Sequence, residues 1–338
     1  MPPLLQREID HTNHPQQVTI IGHTAIAEEI NRDAQIAAGL TRNVLILGEN
    51  GVGKGVLARH IHNLRGYQHP FVHVNCPALP ESMAEDELFG HSQGAFTGAI
   101  RARQGKAKSA IGGTLFLDEI GELSTSLQTR LLLLTGEKKL QPVGSEREEI
   151  VDLRIISATN MNVAQALANG KLRTDLFHRL DGFTITIPPL RARLDDLPLL
   201  VDHIRTIENC DAKFSADALH LMMEYHWPGN IRELENVVGK AVARFKIKPR
   251  NQSEIGLEYV APHLTAMSPN IDPGIPQKLP PLPEYLKQAE TNYLLDLIRR
   301  NLGHTRRAAA IAGITERALH LKVRRLGLFE EIRRLRGY

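Results

Sequence analysis

The chain has 338 residues, of which 42% are hydrophobic and 23% charged, and its formal net charge is +3 at pH 7. This composition is typical of a globular protein and excludes disordered, collagen-like and fibrous chains. The longest apolar runs are a few residues, far below the ~20 that a membrane-spanning helix needs. Two cysteines, Cys76 and Cys210, are too few for a disulfide framework and indicate reduced thiols in a cytoplasmic protein.

The N-terminal half predicts an α/β subdomain. Residues 1–17 are polar and contain prolines, which predicts a loose tail. Over residues 18–188, short apolar runs alternate with helical patterns, and this alternation predicts a parallel sheet covered by helices. The five predicted strands are VLIL at 44–47, FVHVN at 71–75, TLFLD at 114–118, RIISATN at 154–160 and FTITI at 183–187.

A glycine-rich loop, GENGVGKG, follows the first predicted strand and precedes a helical pattern. In that context glycines let backbone N–H groups turn toward phosphates, and the helix N-terminus favours negative charge. The predicted nucleotide-binding residues are Gly48, Glu49, Asn50, Gly51, Val52, Gly53, Lys54 and Gly55. Lys54 would reach the outer phosphates. The alternative is a glycine-rich turn with a surface lysine, and Gly55 stands where Ser or Thr normally gives Mg²⁺ a hydroxyl.

The third predicted strand ends in two carboxylates, Asp118 and Glu119. Because parallel strands end at one edge of the sheet, these side chains would lie beside the glycine-rich loop. We expect Asp118 to hold Mg²⁺ through its water shell and Glu119 to orient and polarise the attacking water. An exposed acidic strand end is the alternative. The combination predicts an ATPase with ATP and Mg²⁺ as cofactors.

Polar residues also end two neighbouring strands, Asn75 on one and Thr159 with Asn160 on the other. Each could sense the γ-phosphate by a hydrogen bond to the water or to Glu119, although ordinary capping of a strand end is the alternative.

Three arginines could neutralise charge in phosphoryl transfer: Arg173, Arg179 and Arg232. An inserted guanidinium can be worth about 10³–10⁵ in rate. Composition does not say which arginine acts within its own subunit and which in a neighbour. If one acts on a neighbour, hydrolysis requires a ring or at least a dimer.

Beyond residue 188 the patterns are helical. Residues 189–247 predict a lid of three amphipathic helices. Residues 248–283 predict a linker, since seven prolines fall within 261–283. Residues 284–330 are helical again and residues 331–338 form a basic tail. Residues 284–338 hold 12 Lys and Arg against 6 Asp and Glu, which indicates a nucleic-acid partner or, alternatively, a solvated basic face.

The segment ELFGHSQGAFTGA at 87–99 lies between the glycine-rich loop and the acidic strand, which reads GGTLFLDEIGEL with its flanks, and WPGNIREL follows from residue 227. With these motifs the chain resembles the bacterial enhancer-binding proteins, the AAA+ activators of sigma-54 RNA polymerase. The resemblance implies a P-loop sheet with a helical lid, and a ring, expected to be hexameric, that hydrolyses ATP to promote open-complex formation. It assigns the contact with sigma-54 to Gly94, Ala95, Phe96, Thr97, Gly98 and Ala99.

The resemblance also implies roles for site residues. Asn75 would be a switch contact to Glu119, Thr159 the first sensor and Arg232 the second, while Arg173 and Arg179 match the region that acts on the neighbouring subunit. The chain departs from the family pattern in two places. Gly55 replaces a Glu, and Ala107 and Lys108 replace a Phe-Glu pair.

Only about 17 residues precede the AAA+ region, so we expect no built-in sensor domain. Control would come from expression or from a protein acting in trans, as in the phage-shock and type III secretion activators. Two alternatives remain: a DNA-binding regulator with a weak or vestigial ATPase, and an AAA+ chaperone-like remodeller without a promoter role.

Residues 285–328, within the predicted domain 284–330, resemble a Fis-type helix-turn-helix. Its helix pair would bury Ala308, Ala309, Ile314, Leu319 and Val323, and Gly313 would permit the turn. The predicted DNA-binding residues are Arg306, Arg307, Thr315, Glu316, Arg317, His320, Arg324 and Arg325. Leu321 stands where the family is often polar. Because this motif usually works by symmetry, we expect a dimer on an inverted repeat of double-stranded enhancer DNA; a plain helical hairpin used for packing is the alternative.

Overall fold

The computed structural model describes residues 20–66, 68–80, 82–97, 99–247, 253–266 and 304–326, together with scattered positions between 287 and 298. The chain divides into two compact units, Met1–Ala266 and Met267–Tyr338. The predicted tails at 1–17 and 331–338 lie outside the described residues, as do Gly98 and most of the predicted linker.

A five-stranded parallel sheet forms the centre of the first unit. Its strands are β1 (Val44–Leu47), β2 (Phe71–Asn75), β3 (Thr114–Asp118), β4 (Arg154–Thr159) and β5 (Thr184–Thr186). They lie in the order β2-β3-β4-β1-β5, and every neighbouring pair is parallel. All five predicted strands are confirmed, and the predicted α/β class is correct.

Helices cover both faces of the sheet. Their bounds are α1 (Ala25–Gly39), α2 (Lys54–Gly66), α3 (Ala84–Phe89), α4 (Lys106–Ser109), α5 (Thr125–Gly136), α6 (Val163–Ala168) and α7 (Thr174–Leu180). Successive strand residues point to opposite faces. Leu115 and Leu117 therefore pack with α5 and α7, whereas Phe116 packs with α1 and α2.

Where the structure describes it, the lid contains four helices rather than three: α8 (Leu197–Ile207), α9 (Ala216–Glu224), α10 (Asn230–Ile247) and α11 (Leu257–Ala266). The last of these falls within the predicted linker at 248–283, so that boundary is wrong in its first part. Tyr259, Val260 and Leu264 of α11 are buried. Burial of this apolar face outweighs the helix-breaking tendency of Pro262, which lies inside the helix.

Two short hairpins project from the sheet. One pairs Gly90–His91 with Arg103–Gln104, and the other pairs Lys139–Leu140 with Glu149–Ile150. The first encloses residues 92–102. A side chain at Gly90 would place its Cβ 2.3 Å from the Arg103 carbonyl oxygen, so only glycine allows the two strands to approach so closely.

The described part of the second unit is helical. Helices α12 (Thr305–Ile311) and α13 (Glu316–Arg325) pack on the described helical positions between 287 and 298. Their shared core buries Leu294, Leu297, Ile298, Ala308, Ala309, Leu319 and Val323, and Ile314 is partly buried against it. The predicted contact residues of the helix pair are therefore confirmed. Over the whole described chain, the helices are too short or too polar to traverse a bilayer.

Candidate functional site

The glycine-rich loop connects β1 to α2, and α2 begins at Lys54. Gly51 has φ of +80°, and a Cβ there would lie 2.3 Å from the Gly229 carbonyl oxygen of the lid. Glycine is therefore required both by the backbone conformation and by the close approach of the lid. The loop has the strand–loop–helix context that a phosphate cradle needs.

Lys54 is held at the centre of this loop. Its side chain is only 6% exposed, and its Nζ donates to the Gly48 carbonyl oxygen at 3.0 Å and the Glu49 carbonyl oxygen at 3.3 Å. The same Nζ lies 2.9 Å from Glu119 Oε1. A buried ammonium is stable only when it is paired, and here the pairing joins the loop directly to the acidic end of β3.

The two carboxylates at the end of β3 have different surroundings. Oδ1 of Asp118 is buried and has no hydrogen-bond partner, whereas Oδ2 lies 3.8 Å from His73 Nε2. Glu119 has a left-handed backbone with φ of 56°, and its Oε2 accepts a hydrogen bond from the Asn160 N–H at 3.0 Å. A carboxylate oxygen without a protein partner is free to accept a hydrogen bond from the water shell of a divalent cation, so Asp118 fits Mg²⁺.

The two carboxylates also act on their neighbour Cys76. Burial raises the pKa of the Cys76 thiol to about 12, and the negative charges of Asp118 and Glu119 raise it further in the same direction. A neutral thiol of this kind is a poor nucleophile. The cysteine is therefore part of the core under the site rather than a reactive group.

The polar residues on neighbouring strands are not equivalent. Asn75 lies opposite Asp118 in the strand register, and within the described residues no hydrogen bond joins its side chain to Glu119. Thr159 is buried, and its Oγ1 accepts from the Met161 N–H at 3.2 Å. Asn160 makes the contacts instead: its N–H binds Glu119, and its Nδ2 donates to Asn50 Oδ1 at 3.0 Å.

The lid closes on the loop through residues that the sequence patterns did not single out. Arg191 donates to both carboxylate oxygens of Glu49, at 2.9 and 2.5 Å. The buried Asn230 donates to Glu49 Oε2 at 3.1 Å and to the Asn50 carbonyl oxygen at 3.0 Å. Hydrogen bonds from Arg191 and then Asn230 lower the pKa of Glu49 to about 2. The only advance signal for Asn230 is its place in the WPGNIREL motif.

The predicted arginines fall in two places. Arg232 lies in the first turn of the lid helix α10, and its N–H donates to the Gly51 carbonyl oxygen at 3.3 Å. Arg173 and Arg179 lie at α7, where Arg173 binds both oxygens of Asp175 at 3.0 and 2.7 Å. Among the described contacts, neither of these two arginines reaches the glycine-rich loop of its own chain. Trp227 is fully buried in the lid.

Among the described residues of the GAFTGA segment, Gly94, Phe96 and Thr97 are exposed on the first hairpin, whereas the predicted contact Ala99 is buried. Phe96 is 49% exposed, and its ring packs edge-on against His91, with 5.0 Å between centroids. The ring of His91 is fixed at both nitrogens, by Asp86 Oδ1 at 2.5 Å and by the Arg101 carbonyl oxygen at 2.9 Å. Phe96 therefore rests on a rigid support while half of its side chain stays accessible.

The second unit presents a basic surface on α13. The Thr315 hydroxyl caps this helix by accepting from the Ala318 N–H at 3.2 Å, and Arg317, His320 and Arg324 are exposed. The exposed Arg306 and Arg307 lie on α12. Two predicted DNA contacts also have partners within the chain: Glu316 accepts from the Thr305 hydroxyl at 3.0 Å, and Arg325 pairs with Glu290 at 2.6 Å.

Comparison with known proteins agrees with this arrangement. Residues 20–186 match the sigma-54 interaction domain, and residues 191–272 match an AAA+ ATPase lid domain. The chain belongs to the sigma-54-dependent transcriptional activators. It is 38% identical to the nitric oxide reductase transcription regulator NorR1 of Cupriavidus necator over 327 residues, which are 91% of this chain and 63% of NorR1.

Two further relatives support the family and its fold. Regulatory protein LuxO of Vibrio cholerae is 44% identical over 241 residues, covering 70% of this chain and 46% of LuxO. The crystal structure of NtrX from Brucella abortus in complex with ADP superposes with a TM-score of 0.71 at 28% identity, covering 92% of this chain and 70% of NtrX. The chain thus spans about half to two thirds of the length of the curated activators that it matches.

One departure from the family pattern has a structural partner. Lys108, on α4 directly after the GAFTGA hairpin, pairs with Glu149 of the second hairpin at 2.6 Å. Lys108 therefore bridges the two hairpins. Both side chains are at least one third exposed, so solvent screening keeps the strength of this pair small.

Proposed function

We propose that the chain is an ATP-driven activator that binds enhancer DNA, assembles into a ring and uses hydrolysis to remodel sigma-54 RNA polymerase holoenzyme, promoting open-complex formation. One observation carries the proposal: a half-exposed Phe96 lies on a hairpin of the same compact unit in which Lys54 pairs with Glu119 directly after β3. A hydrolytic centre and an exposed contact element share one rigid domain. That is the arrangement an effector loop driven by a nucleotide requires.

Each residue of the centre has its own role in hydrolysis. A bound Mg²⁺–nucleotide supplies the γ-phosphoryl group that is transferred to water. Lys54 would exchange its two carbonyl contacts for the outer phosphates, and Asp118 would hold the cation through its unpartnered oxygen. Release of Lys54 frees Glu119 to take a proton from the attacking water, which is the role of a general base.

A route from the centre to the tip is supported by the contacts of Glu119. Its present partners are Lys54 and the Asn160 N–H. When Lys54 turns to phosphate, Glu119 loses a charged partner and can rotate toward Asn75, which stands opposite its neighbour Asp118. Asn75 leads through a short turn into α3, from which the GAFTGA hairpin begins. Thr159 and Arg232 would act as sensors of the same change.

The partners follow from the same proposal. Double-stranded DNA would bind the basic face of α13, and subunits would meet so that Arg173 or Arg179 enters the neighbour's site. A ring, expected to be a hexamer, satisfies this geometry because each site then receives an arginine. A protein acting in trans would regulate the assembly.

Substitution of the tip tests the proposal. Phe96→Ala and Thr97→Ala are each expected to reduce open-complex formation on a sigma-54 promoter more than about 10-fold, because both side chains lie on the exposed tip, while ATP turnover stays within about two-fold. The measurement is open-complex formation beside steady-state hydrolysis. Ile100→Ala is the matched control, since Ile100 is 79% exposed just beyond the tip and should behave as wild type. Full activation by Phe96→Ala would refute the loop assignment.

A DNA-binding regulator with a weak ATPase is the second candidate, and Gly55 is the observation that favours it. No hydroxyl follows Lys54, so one expected contact to the cation shell is missing. A Cβ at Gly55 would lie 3.7 Å from Phe116 Cε1, an ordinary contact distance, so a larger side chain fits.

Gly55→Thr is therefore expected to raise ATP turnover a few-fold at limiting Mg²⁺, because it introduces a hydroxyl for the water shell of the cation at a position where a Cβ fits. A Mg²⁺ titration of turnover measures the effect. Gly39→Thr serves as the control, since Gly39 also lies in a helix and has open space around its Cβ position. An unchanged Mg²⁺ dependence would show that the missing hydroxyl does not limit the enzyme.

A further inference from the structure

Helix α13 carries an exposed leucine whose position nothing in the fold explains. Leu319 and Val323 face the core of the second unit and are fully buried. Successive residues of a helix are ~100° apart, so Leu321, two residues from each, points to the opposite side. Its side chain is 63% exposed. The face of α13 that points away from the core thus carries an apolar side chain.

The surroundings of Leu321 define what can cover it. Arg317 and Arg324 are four residues before and three residues after it, so both lie on the same exposed face, and Arg325 follows on the other flank. A leucine flanked by guanidinium groups is complementary to a surface that has negative charge at its edges and an apolar group between them. The major groove of DNA has this character, with phosphates along both rims.

The apolar point in that groove belongs to one base. Only thymine presents a methyl group on the major-groove edge, whereas the other edges present hydrogen-bond donors and acceptors. We infer that Leu321 contacts the 5-methyl group of thymine and sets a preference for thymine at one position of the recognised site. This inference rests on the proposed binding of DNA by the second unit, and it adds the base feature that the helix reads.

The experiment begins with selection from random-sequence duplex DNA by the full chain. The wild-type chain is expected to enrich sites with a fixed thymine, and replacement of that thymine by deoxyuridine, which lacks only the methyl group, should weaken binding about four-fold, the effect of one buried methyl-sized group. Leu321→Ala should bind the two duplexes equally. Ile311→Ala is the matched control because Ile311 is also 63% exposed in the same unit; it should discriminate as wild type does.

The outcomes separate this inference from the proposed function. Selection of a site in which deoxyuridine costs the wild-type chain nothing would overturn the thymine contact while leaving DNA binding intact. The same holds if Leu321→Ala still discriminates about four-fold. If the full chain enriches no sequence and binds duplex without salt dependence, the DNA-binding role itself fails. The deoxyuridine comparison uses the wild-type chain and so does not depend on the folding of any variant.

Discussion

Replacement of Glu119 by glutamine is expected to slow ATP turnover about 10²–10³-fold, since a general base commonly contributes a factor of this size. Glutamine keeps the size of the side chain and can still accept the hydrogen bond from the Asn160 N–H, but it cannot take a proton. Nucleotide affinity should stay the same or rise, because the amide no longer holds Lys54 as an ion pair. Steady-state hydrolysis and equilibrium binding of a fluorescent ATP analogue measure the two effects.

Glu122→Gln is the matched control for this variant. Glu122 follows on the same short turn but pairs with Lys171 at the surface, so its loss should leave turnover within about two-fold. Wild-type turnover by Glu119→Gln would remove Glu119 from the chemistry. In that case the contact with Lys54 would have only a structural role.

An arginine supplied by the neighbouring subunit should have an effect at least as large. Arg173→Ala and Arg179→Ala are tested separately, and the residue that acts in trans should lower turnover about 10³-fold or more. The reason is that neither arginine contacts the glycine-rich loop of its own chain among the described residues, so an effect of that size requires a second subunit. Turnover at saturating ATP and fixed subunit concentration is the measurement.

Mixing variants shows on which site the arginine acts. An equimolar mixture of the arginine variant with Lys54→Ala should regain up to about a quarter of wild-type turnover, because some junctions then join an intact Lys54 site to an intact arginine. An arginine acting in its own subunit would give no recovery. Lys171→Ala is the control, since Lys171 is an exposed cation two residues from Arg173. This variant should keep wild-type turnover without a second variant in the mixture.

Much of the architecture followed from local patterns. Segments of four to seven residues with apolar patterns predicted the five strands. The rule that parallel strands end at one edge of a sheet predicted that Asp118 and Glu119 lie beside Lys54. The C-terminal boundary of the lid was not predicted correctly. The prolines after residue 261 favoured a linker, although the apolar face of α11 indicates a packed helix. Prolines act locally, whereas Tyr259 and Val260 are buried by helices far from them in sequence.

The hydrogen-bond partners of individual polar residues could not be predicted from the sequence. Asn160 rather than Thr159 joins Glu119 to Asn50, since its backbone N–H binds Glu119 and its side-chain Nδ2 binds Asn50. Both contacts depend on the path of the chain just after β4. Arg191 and Glu49 are 142 residues apart, so their contact exists only because the lid folds back on the loop. The hydrophobic periodicity of neither segment predicts this contact.

The sequence by itself determined the order of elements, the phosphate-binding loop, the acidic strand end and the identity of the exposed GAFTGA tip, since each depends on residues close together in the chain. The tertiary structure decided which oxygens and nitrogens meet. It left an oxygen of Asp118 without a partner and paired Lys54 with Glu119. The physical reason is that burial and hydrogen bonding are satisfied over the whole fold, so a side chain's partner is chosen by packing between distant segments.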